Sequence, residues 1–174
     1  MINVFKEKLY KGLKQEIKVK KFLISKQSKF QKIEIFDTQA YGRVLALDGI
    51  VQITEKDEAA YSEMLVHPIV QSLKKSPKKT LIVGGGDGAV AEEVLKYKFI
   101  KSIDLVDIDK EVVDLSKKYL KKINNNSLLN KKLSIFYQDA MLYIENTKNV
   151  YDIIIADRPD PVGAGKSLYK VNFY

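Results

Sequence analysis

The residues best suited to chemistry are acids that directly follow four short apolar runs. They fall in the segments Gly84 to Asp87, Asp107, Asp139 and Asp157 to Asp160. Carboxylates can hold ammonium or sulfonium groups, accept hydrogen bonds from a ribose diol and take a proton from an attacking amine. This pattern predicts a site for a cationic nucleoside, together with a base for its reaction.

The first of these segments is the glycine loop Gly84-Gly85-Gly86-Asp87-Gly88, which follows a strand-like run and opens a helical one. Glycines let the backbone approach a ligand, and the N–H groups of the following helix face it. The loop alone leaves a nicotinamide cofactor and an S-adenosyl compound equally open. Asp87 favours the S-adenosyl compound, because its carboxylate would repel a pyrophosphate and attract a sulfonium or ammonium group.

Two further acids could bind the ribose and the adenine of an adenosine group. Asp107 ends the next strand about twenty residues after the loop, where a carboxylate can bind a ribose diol. Asp139 immediately precedes a helical run that begins at Ala140, so it can accept from an adenine amino group, cap the helix, or do both. Together these residues predict an adenosine-type site.

A scaffold must bring these acids together, and the pattern from Thr80 onward supplies one. Apolar runs at 80–83, 103–106, 133–137 and 151–156 alternate with helical runs that begin near Ala89, Asp109 and Ala140. Such alternation predicts a doubly wound parallel α/β sheet, in which the carboxyl ends of the strands share one edge. Residues 124–127 predict a loop.

The N-terminal third has a different pattern. Residues 31–54 alternate in polarity, and Asp48-Gly49 between two β-branched runs predicts a hairpin, because both turn residues readily adopt positive φ. A helix is predicted over residues 57–73. We therefore expect two parts: a lysine-rich N-terminus with a small antiparallel β unit at 1–56, and a Rossmann-like core at 57–174.

Composition limits the classes of function. Ten lysines stand against two glutamates in residues 1–32, which accounts for the whole net charge of +8. We interpret this as a solvated lysine-rich face, with an RNA or other anionic contact as the alternative. The absence of cysteine excludes disulfides and thiolate chemistry, and the single His67 cannot bind a metal alone. With no membrane-length apolar run and no signal-peptide pattern, a cytoplasmic location is expected.

Four segments resemble, in order and spacing, signature segments of the spermidine synthase (polyamine aminopropyltransferase) family. They are QKIEIFDTQAYGRVLALDGIVQITEKDEAAYSEM, LIVGGGDGAVAEEVL, DLVDIDKEVVDLSKKYL and YDIIIADRPDPVGAGKSLY. The resemblance implies an S-adenosylmethionine-methyltransferase-type fold. It also implies transfer of an aminopropyl group from decarboxylated S-adenosylmethionine to putrescine or a related amine, giving spermidine or an analogue and 5'-methylthioadenosine. No metal or other cofactor is expected besides this co-substrate.

The resemblance further implies a role for each site residue. The donor-binding residues would be Gln31, Gly84, Gly85, Gly86, Asp87, Asp107, Asp139 and Ala140. The acceptor amine would be bound by Tyr61, Asp157 and Asp160, with Asp157 as the catalytic base. Several positions depart from the family pattern: among them, Asp107 replaces a usual glutamate and Arg158 replaces a small hydroxyl residue.

Alternatives remain open at this point. The same fold could carry an S-adenosylmethionine-dependent methyltransferase, although that reaction would leave the acids Asp157 and Asp160 unused. The sequence stops where the family continues with further strands, so we expect a C-terminally truncated core, which a non-catalytic ligand-binding subunit would also explain. Expected partners are a small diamine and a nucleoside-sulfonium donor. We expect the protein to form a homodimer or higher homo-oligomer, with neither a membrane nor a nucleic acid as a partner.

Overall fold

A computed structural model describes residues 3–158, which form two compact units that divide between Ala59 and Ala60. The first unit is one antiparallel sheet in the order β1-β2-β3-β4-β5. Its strands are Val4–Tyr10 (β1), Leu13–Gln27 (β2), Lys32–Thr38 (β3), Arg43–Leu47 (β4) and Ile50–Thr54 (β5). The hairpin predicted at Asp48-Gly49 is confirmed, with φ values of 49° and 77° at these two residues.

The strands β1 and β2 were not predicted, although they are two of the five strands of this sheet, with β1 at its edge. Their apolar residues alternate with lysines, so that Phe5, Ile17 and Val19 are buried while Lys6 and Lys18 are exposed. Alternation of this kind is the signature of a half-buried strand. Much of the lysine-rich N-terminus is therefore the outer face of a sheet.

The second unit is the predicted parallel sheet, in the order β8-β7-β6-β9. Its strands are Lys79–Gly84 (β6), Ser102–Asp107 (β7), Leu133–Tyr137 (β8) and Ile153–Asp157 (β9). The helices are Glu58–Ser72 (α1), Ala89–Leu95 (α2), Lys110–Tyr119 (α3), Lys121–Asn124 (α4) and Ala140–Asn146 (α5), with a 3-10 turn at Ser127–Leu129. No helix within residues 3–158 is long and apolar enough to cross a bilayer.

The central strand β6 is buried on both faces, as a doubly wound sheet requires. Ile82 packs into one apolar cluster with residues of α1, α2 and α3. Leu81 and Val83 point the other way, into a cluster with Ala140 and Tyr143 of α5. Because successive side chains of a strand alternate between faces, one apolar run supports both helix layers.

Two details differ from the predictions. Strand β9 begins at Ile153, two residues later than expected, and the side chain of Asp152 before it accepts the backbone N–H groups of Lys78 and Lys79. The segment predicted as a loop at 124–127 ends α4 and begins the 3-10 turn, and Asn124 and Ser127 in it are buried.

The order of the second sheet places a topological switch point between β6 and β9. From β6 the chain adds β7 and then β8 on one side, and β9 returns to the other side of β6. Crevices at such a point, at the carboxyl ends of the strands, are where doubly wound sheets bind ligands. Gly84 and Asp157 are register partners at that edge.

Gly84 lets these two strand ends meet. Its φ is 78°, a left-handed value that suits glycine, and a Cβ atom at this position would overlap the carbonyl oxygen of Asp157. A side chain would therefore force β9 away from β6.

We expect Gly84→Ala to destabilise the protein much more than Gly49→Ala. Both residues have left-handed φ, but a Cβ at Gly49 would meet no atom within 4 Å. The control should lose about 1–2 kcal/mol for backbone strain, and Gly84→Ala should lose about 2 kcal/mol more for the steric overlap. Urea denaturation measures both, and equal losses would contradict the close approach of β6 to β9.

Candidate active site

Two predicted site acids lie directly over the glycine loop. A Cβ atom on Gly85 would lie 3.2 Å from Oδ2 of Asp157, and one on Gly86 would overlap Oδ2 of Asp107. Both glycines are therefore needed for the carboxylates to approach the loop backbone. The structure brings the ends of β6, β7 and β9 together, as the parallel sheet predicted.

Each of the three acids at this edge is oriented by a donor from the protein. Oδ1 of Asp87 accepts from the backbone N–H of Ala89 at 2.8 Å, and Oδ1 of Asp107 accepts from that of Asp109 at 2.8 Å. Oδ1 of Asp157 accepts from the hydroxyl of Tyr61 at 3.0 Å. These bonds fix the carboxylates in place before any ligand arrives, which favours preorganised binding.

The pKa values of all three acids are raised. Burial, the negative charge of Asp87 and, less strongly, that of Asp107 raise the pKa of Asp157 to about 7, although the Tyr61 hydrogen bond opposes the shift. Burial and the charges of Asp109 and Asp87 raise the pKa of Asp107 to about 6. Burial likewise raises the pKa of Asp87. The edge therefore gains stability by taking up a cation or a proton.

Tyr61 lies in the first turn of α1, with half of its surface exposed. Its hydroxyl reaches Asp157, so this ring borders the acid that the sequence singled out as the base. An exposed aromatic ring at this position suits the apolar stem of a small amine.

Asp139 and Ala140 stand at the end of the third strand in chain order. Asp139 is the N-cap of α5, and its Oδ1 accepts from the backbone N–H of Met141 at 2.7 Å. Ala140 is buried as the first residue of that helix. The helix cap is one of the two roles expected for Asp139, and its adenine contact stays a prediction.

Comparison with known proteins shows matches along the chain. Residues 58–174 match the family model described as the spermine/spermidine synthase domain, and residues 3–55 match the one described as the spermidine synthase tetramerisation domain. The chain belongs to the spermine/spermidine synthase family.

Individual relatives agree with this assignment. The polyamine aminopropyltransferase of Alkaliphilus metalliredigens is 41% identical over 170 residues, covering 98% of this chain and 59% of that protein. A Buchnera aphidicola enzyme of the same name is 41% identical, covering 100% of this chain and 61% of the relative. The chain thus spans about three fifths of the length of these relatives.

Solved structures give the same result. A spermidine synthase in complex with the transition state analogue AdoDATO has a TM-score of 0.92 and 37% identity, over 99% of this chain and 59% of that one. Spermidine synthase from Thermotoga maritima has a TM-score of 0.89 and 36% identity, over 99% and 58%. The predicted fold class is confirmed.

Two site residues of the family pattern remain, Gln31 and Asp160. Gln31 is in the first unit, just before β3, where its carbonyl oxygen accepts from the backbone N–H of Ser28 at 2.9 Å. Asp160 lies outside the described residues. Their roles as donor and acceptor contacts stay predictions.

Two buried side chains that the sequence did not single out donate hydrogen bonds to carbonyl oxygens of the glycine loop. Asn124 donates its Nδ2 to the carbonyl oxygen of Asp87 at 2.8 Å, and Ser127 donates its Oγ to that of Gly88 at 2.6 Å. A polar run such as Asn124 to Ser127 carries no periodic signal, and only its tertiary contacts distinguish it from a surface loop.

One group of side chains within residues 3–158 has the composition of a metal site. The ligand atoms of Glu63, His67 and Glu93 lie within 4.8 Å of one another. His67 Nε2 lies 3.1 Å from a Glu93 oxygen, and the ammonium of Lys96 contacts the other oxygen at 2.5 Å. Because the ammonium of Lys96 already offsets the charge of Glu93, we interpret the group as a polar network between α1 and α2.

The raised pKa of Asp157 predicts a specific dependence of stability on pH. Its folded-state pKa exceeds the unfolded value, so the folded protein binds more protons and loses stability as pH rises from about 4 to about 7. Asp157→Asn should remove this loss and raise the free energy of unfolding at pH 8 by about 1–3 kcal/mol, with little change at pH 4.

Asp152→Asn is the matched control, because it has the opposite sign. Asp152 accepts backbone N–H groups of Lys78 and Lys79, which lower its pKa. Its contribution is present at neutral pH and lost as pH falls through the folded-state pKa, so this variant should be destabilised at pH 8. Thermal denaturation at both pH values checks the two variants. Destabilisation of Asp157→Asn at pH 8 would contradict the inference that ionised Asp157 destabilises the folded protein.

Proposed function

We propose that the protein transfers an aminopropyl group from decarboxylated S-adenosylmethionine to putrescine or a related amine. The observation that carries this proposal is the position of Asp157, at the switch point of the sheet and hydrogen bonded to Tyr61. Membership of the spermine/spermidine synthase family supports it. The products would be spermidine or an analogue and 5'-methylthioadenosine.

The donor would occupy the edge formed by β6, β7 and β8. Asp107 would accept from the ribose hydroxyls, and Asp139 with Ala140 would contact the adenine. Gly84, Gly85 and Gly86 would admit the nucleoside close to the backbone, and Asp87 would hold the aminopropyl ammonium. Gln31 would add a contact from the first unit.

The reaction itself needs a base and correct alignment. The nitrogen lone pair of the acceptor attacks the aminopropyl carbon bonded to sulfur, and the C–S bond breaks with its electrons passing to sulfur. The positive charge of the sulfonium is thereby lost, and the acceptor nitrogen gives up a proton to Asp157. Asp160 would pair with ammonium charge and hold the amine in line with the reacting carbon.

The remaining expectations belong to the same proposal. The match of residues 3–55 to a tetramerisation domain supports a homo-oligomer, in which the part at 1–56 would serve assembly and the part at 57–174 catalysis. Decarboxylated S-adenosylmethionine would be the sole co-substrate, without a metal, and the cytoplasm its location. A methyltransferase or a non-catalytic ligand-binding subunit would be revealed by the assays below.

Asp157→Asn should abolish turnover while leaving nucleoside binding intact. Loss of the base removes proton acceptance in the transition state, so the rate of amine-dependent 5'-methylthioadenosine release should fall by about 10²–10⁴-fold. Calorimetry should give 5'-methylthioadenosine affinities within about threefold of each other for the variant and the wild-type protein, a difference below 1 kcal/mol.

Asp107→Asn provides the complementary control, since it should weaken nucleoside binding. If the wild-type protein methylates an acceptor with S-adenosylmethionine but transfers no aminopropyl group, the methyltransferase is favoured. Nucleoside binding with neither reaction would favour the non-catalytic subunit.

Tyr61→Phe should move the pH dependence of turnover. The Tyr61 hydroxyl stabilises the ionised form of Asp157, so its loss raises the pKa of that acid further. The acidic limb of the kcat/KM profile should therefore shift to higher pH. Tyr10→Phe, an exposed residue of β1, serves as the control and should leave the profile unchanged; an unshifted limb in Tyr61→Phe would contradict the pairing with Asp157.

A further inference from the structure

We propose that Asn124 is a positioning residue for Asp87, and that it thereby sets the affinity of the site for donors that carry a free ammonium group. The inference rests on the proposed function, because it assigns Asp87 to the aminopropyl ammonium. Asn124 is at the C-terminal end of α4 and is completely buried. It therefore acts through the loop and not by touching the ligand.

The hydrogen bonds of Asn124 connect three parts of the second unit. Its Nδ2 donates to the carbonyl oxygen of Asp87 at 2.8 Å and to that of Ser116 in α3 at 3.3 Å. Its Oδ1 accepts from the backbone N–H of Asn126 at 3.1 Å. One amide thus ties the glycine loop to α3 and to the turn that follows α4.

A second contact shows that this turn supports the loop directly. Ser127 donates its Oγ to the carbonyl oxygen of Gly88 at 2.6 Å. A Cβ atom on Gly88 would lie 2.7 Å from Leu128 and 3.0 Å from Cβ of Asn124. Consecutive carbonyls of the loop are therefore held by one short segment, Asn124 to Leu128, that packs against Gly88.

The turn adopts an unusual backbone conformation to make these contacts. Asn125 and Asn126 have φ values of 44° and 59°, both left-handed. Asparagine tolerates this region better than most residues. The two residues return the chain so that Asn124 and Ser127 both face the loop.

Asp87 needs such support because its neighbours are conformationally permissive. Gly85 and Gly88 have φ values of 69° and 87°, and glycine backbones have more freedom to rotate than others. The Oδ1 bond to Ala89 orients the carboxylate, but the carbonyl bond to Asn124 fixes the peptide from which the side chain projects. Loss of that bond would leave a carbonyl without its buried donor and allow the peptide to rotate.

The test is the substitution Asn124→Asp, which keeps the shape of the side chain and removes the donor when the new carboxyl group is ionised, so the affinities are compared at alkaline pH. The matched control is Asn130→Asp, an exposed position whose Oδ1 only accepts, from the backbone N–H of Lys132 at 2.9 Å. Calorimetry measures the affinity of each protein for decarboxylated S-adenosylmethionine and for 5'-methylthioadenosine. The second ligand lacks both the sulfonium charge and the aminopropyl ammonium, and therefore reports on the contacts with the adenosine portion.

We expect Asn124→Asp to lower the affinity for decarboxylated S-adenosylmethionine by about tenfold or more. The affinity for 5'-methylthioadenosine should fall by less than about threefold. Asn130→Asp should change neither affinity. The new carboxylate would attract a cationic donor, so weaker binding must come from displacement of Asp87 and not from the added charge. In turnover, the same displacement should raise KM for the donor and leave KM for the amine unchanged.

The outcomes separate this inference from the proposed function. An equal loss of affinity for both ligands, or no loss of affinity, would show that Asn124 serves the fold alone. Wild-type protein that binds neither ligand would refute the proposed function as well. If Asn124→Asp does not fold, Ser127→Ala removes the neighbouring loop contact more gently, and it must show the same preferential loss of the ammonium-bearing donor for the inference to stand.

Discussion

The close approach of β6 and β9 at Gly84 and Asp157 is the constraint on which the site depends. Parallel pairing aligns these residues, and the missing Cβ of Gly84 lets the carbonyl of Asp157 sit where a side chain would otherwise be. Gly85 and Gly86 extend the same opening to the carboxylates of Asp157 and Asp107. Three acids from three strand ends can then share one crevice because the loop between them has almost no side-chain volume.

This arrangement costs stability in the absence of ligand. Carboxylates that lose solvent and face one another favour protonation, which is why the pKa values of Asp157 and Asp107 rise to about 7 and about 6. Local hydrogen bonds offset part of the cost, from the Tyr61 hydroxyl and from the backbone N–H groups of Ala89 and Asp109. Buried acids with raised pKa values in a crevice are characteristic of a functional site, where a ligand can offset the unfavourable charge.

The sequence predicted those parts of the site that follow from periodicity. Apolar runs gave the four parallel strands, and the acids at their ends followed from the shared edge of such a sheet. Strands β1 and β2 were missed because their lysines dominate the composition, although Phe5, Ile17 and Val19 alternate inward. The turn that contains Asn124 could not be found from the sequence, since its contacts with the loop link residues 37 and 39 positions apart.

The acidity of the edge also bears on the choice between the two S-adenosyl donors. S-adenosylmethionine carries a carboxylate beside its amine, and that group would face Asp87 and the other acids in a crevice where charges interact more strongly than in water. The decarboxylated donor keeps the sulfonium and the ammonium and lacks the repelled group. A methyltransferase would need a cation at this place to accept the carboxylate. In the proposed reaction, the charge of the described edge would therefore favour the decarboxylated donor through repulsion of its competitor as well as through attraction.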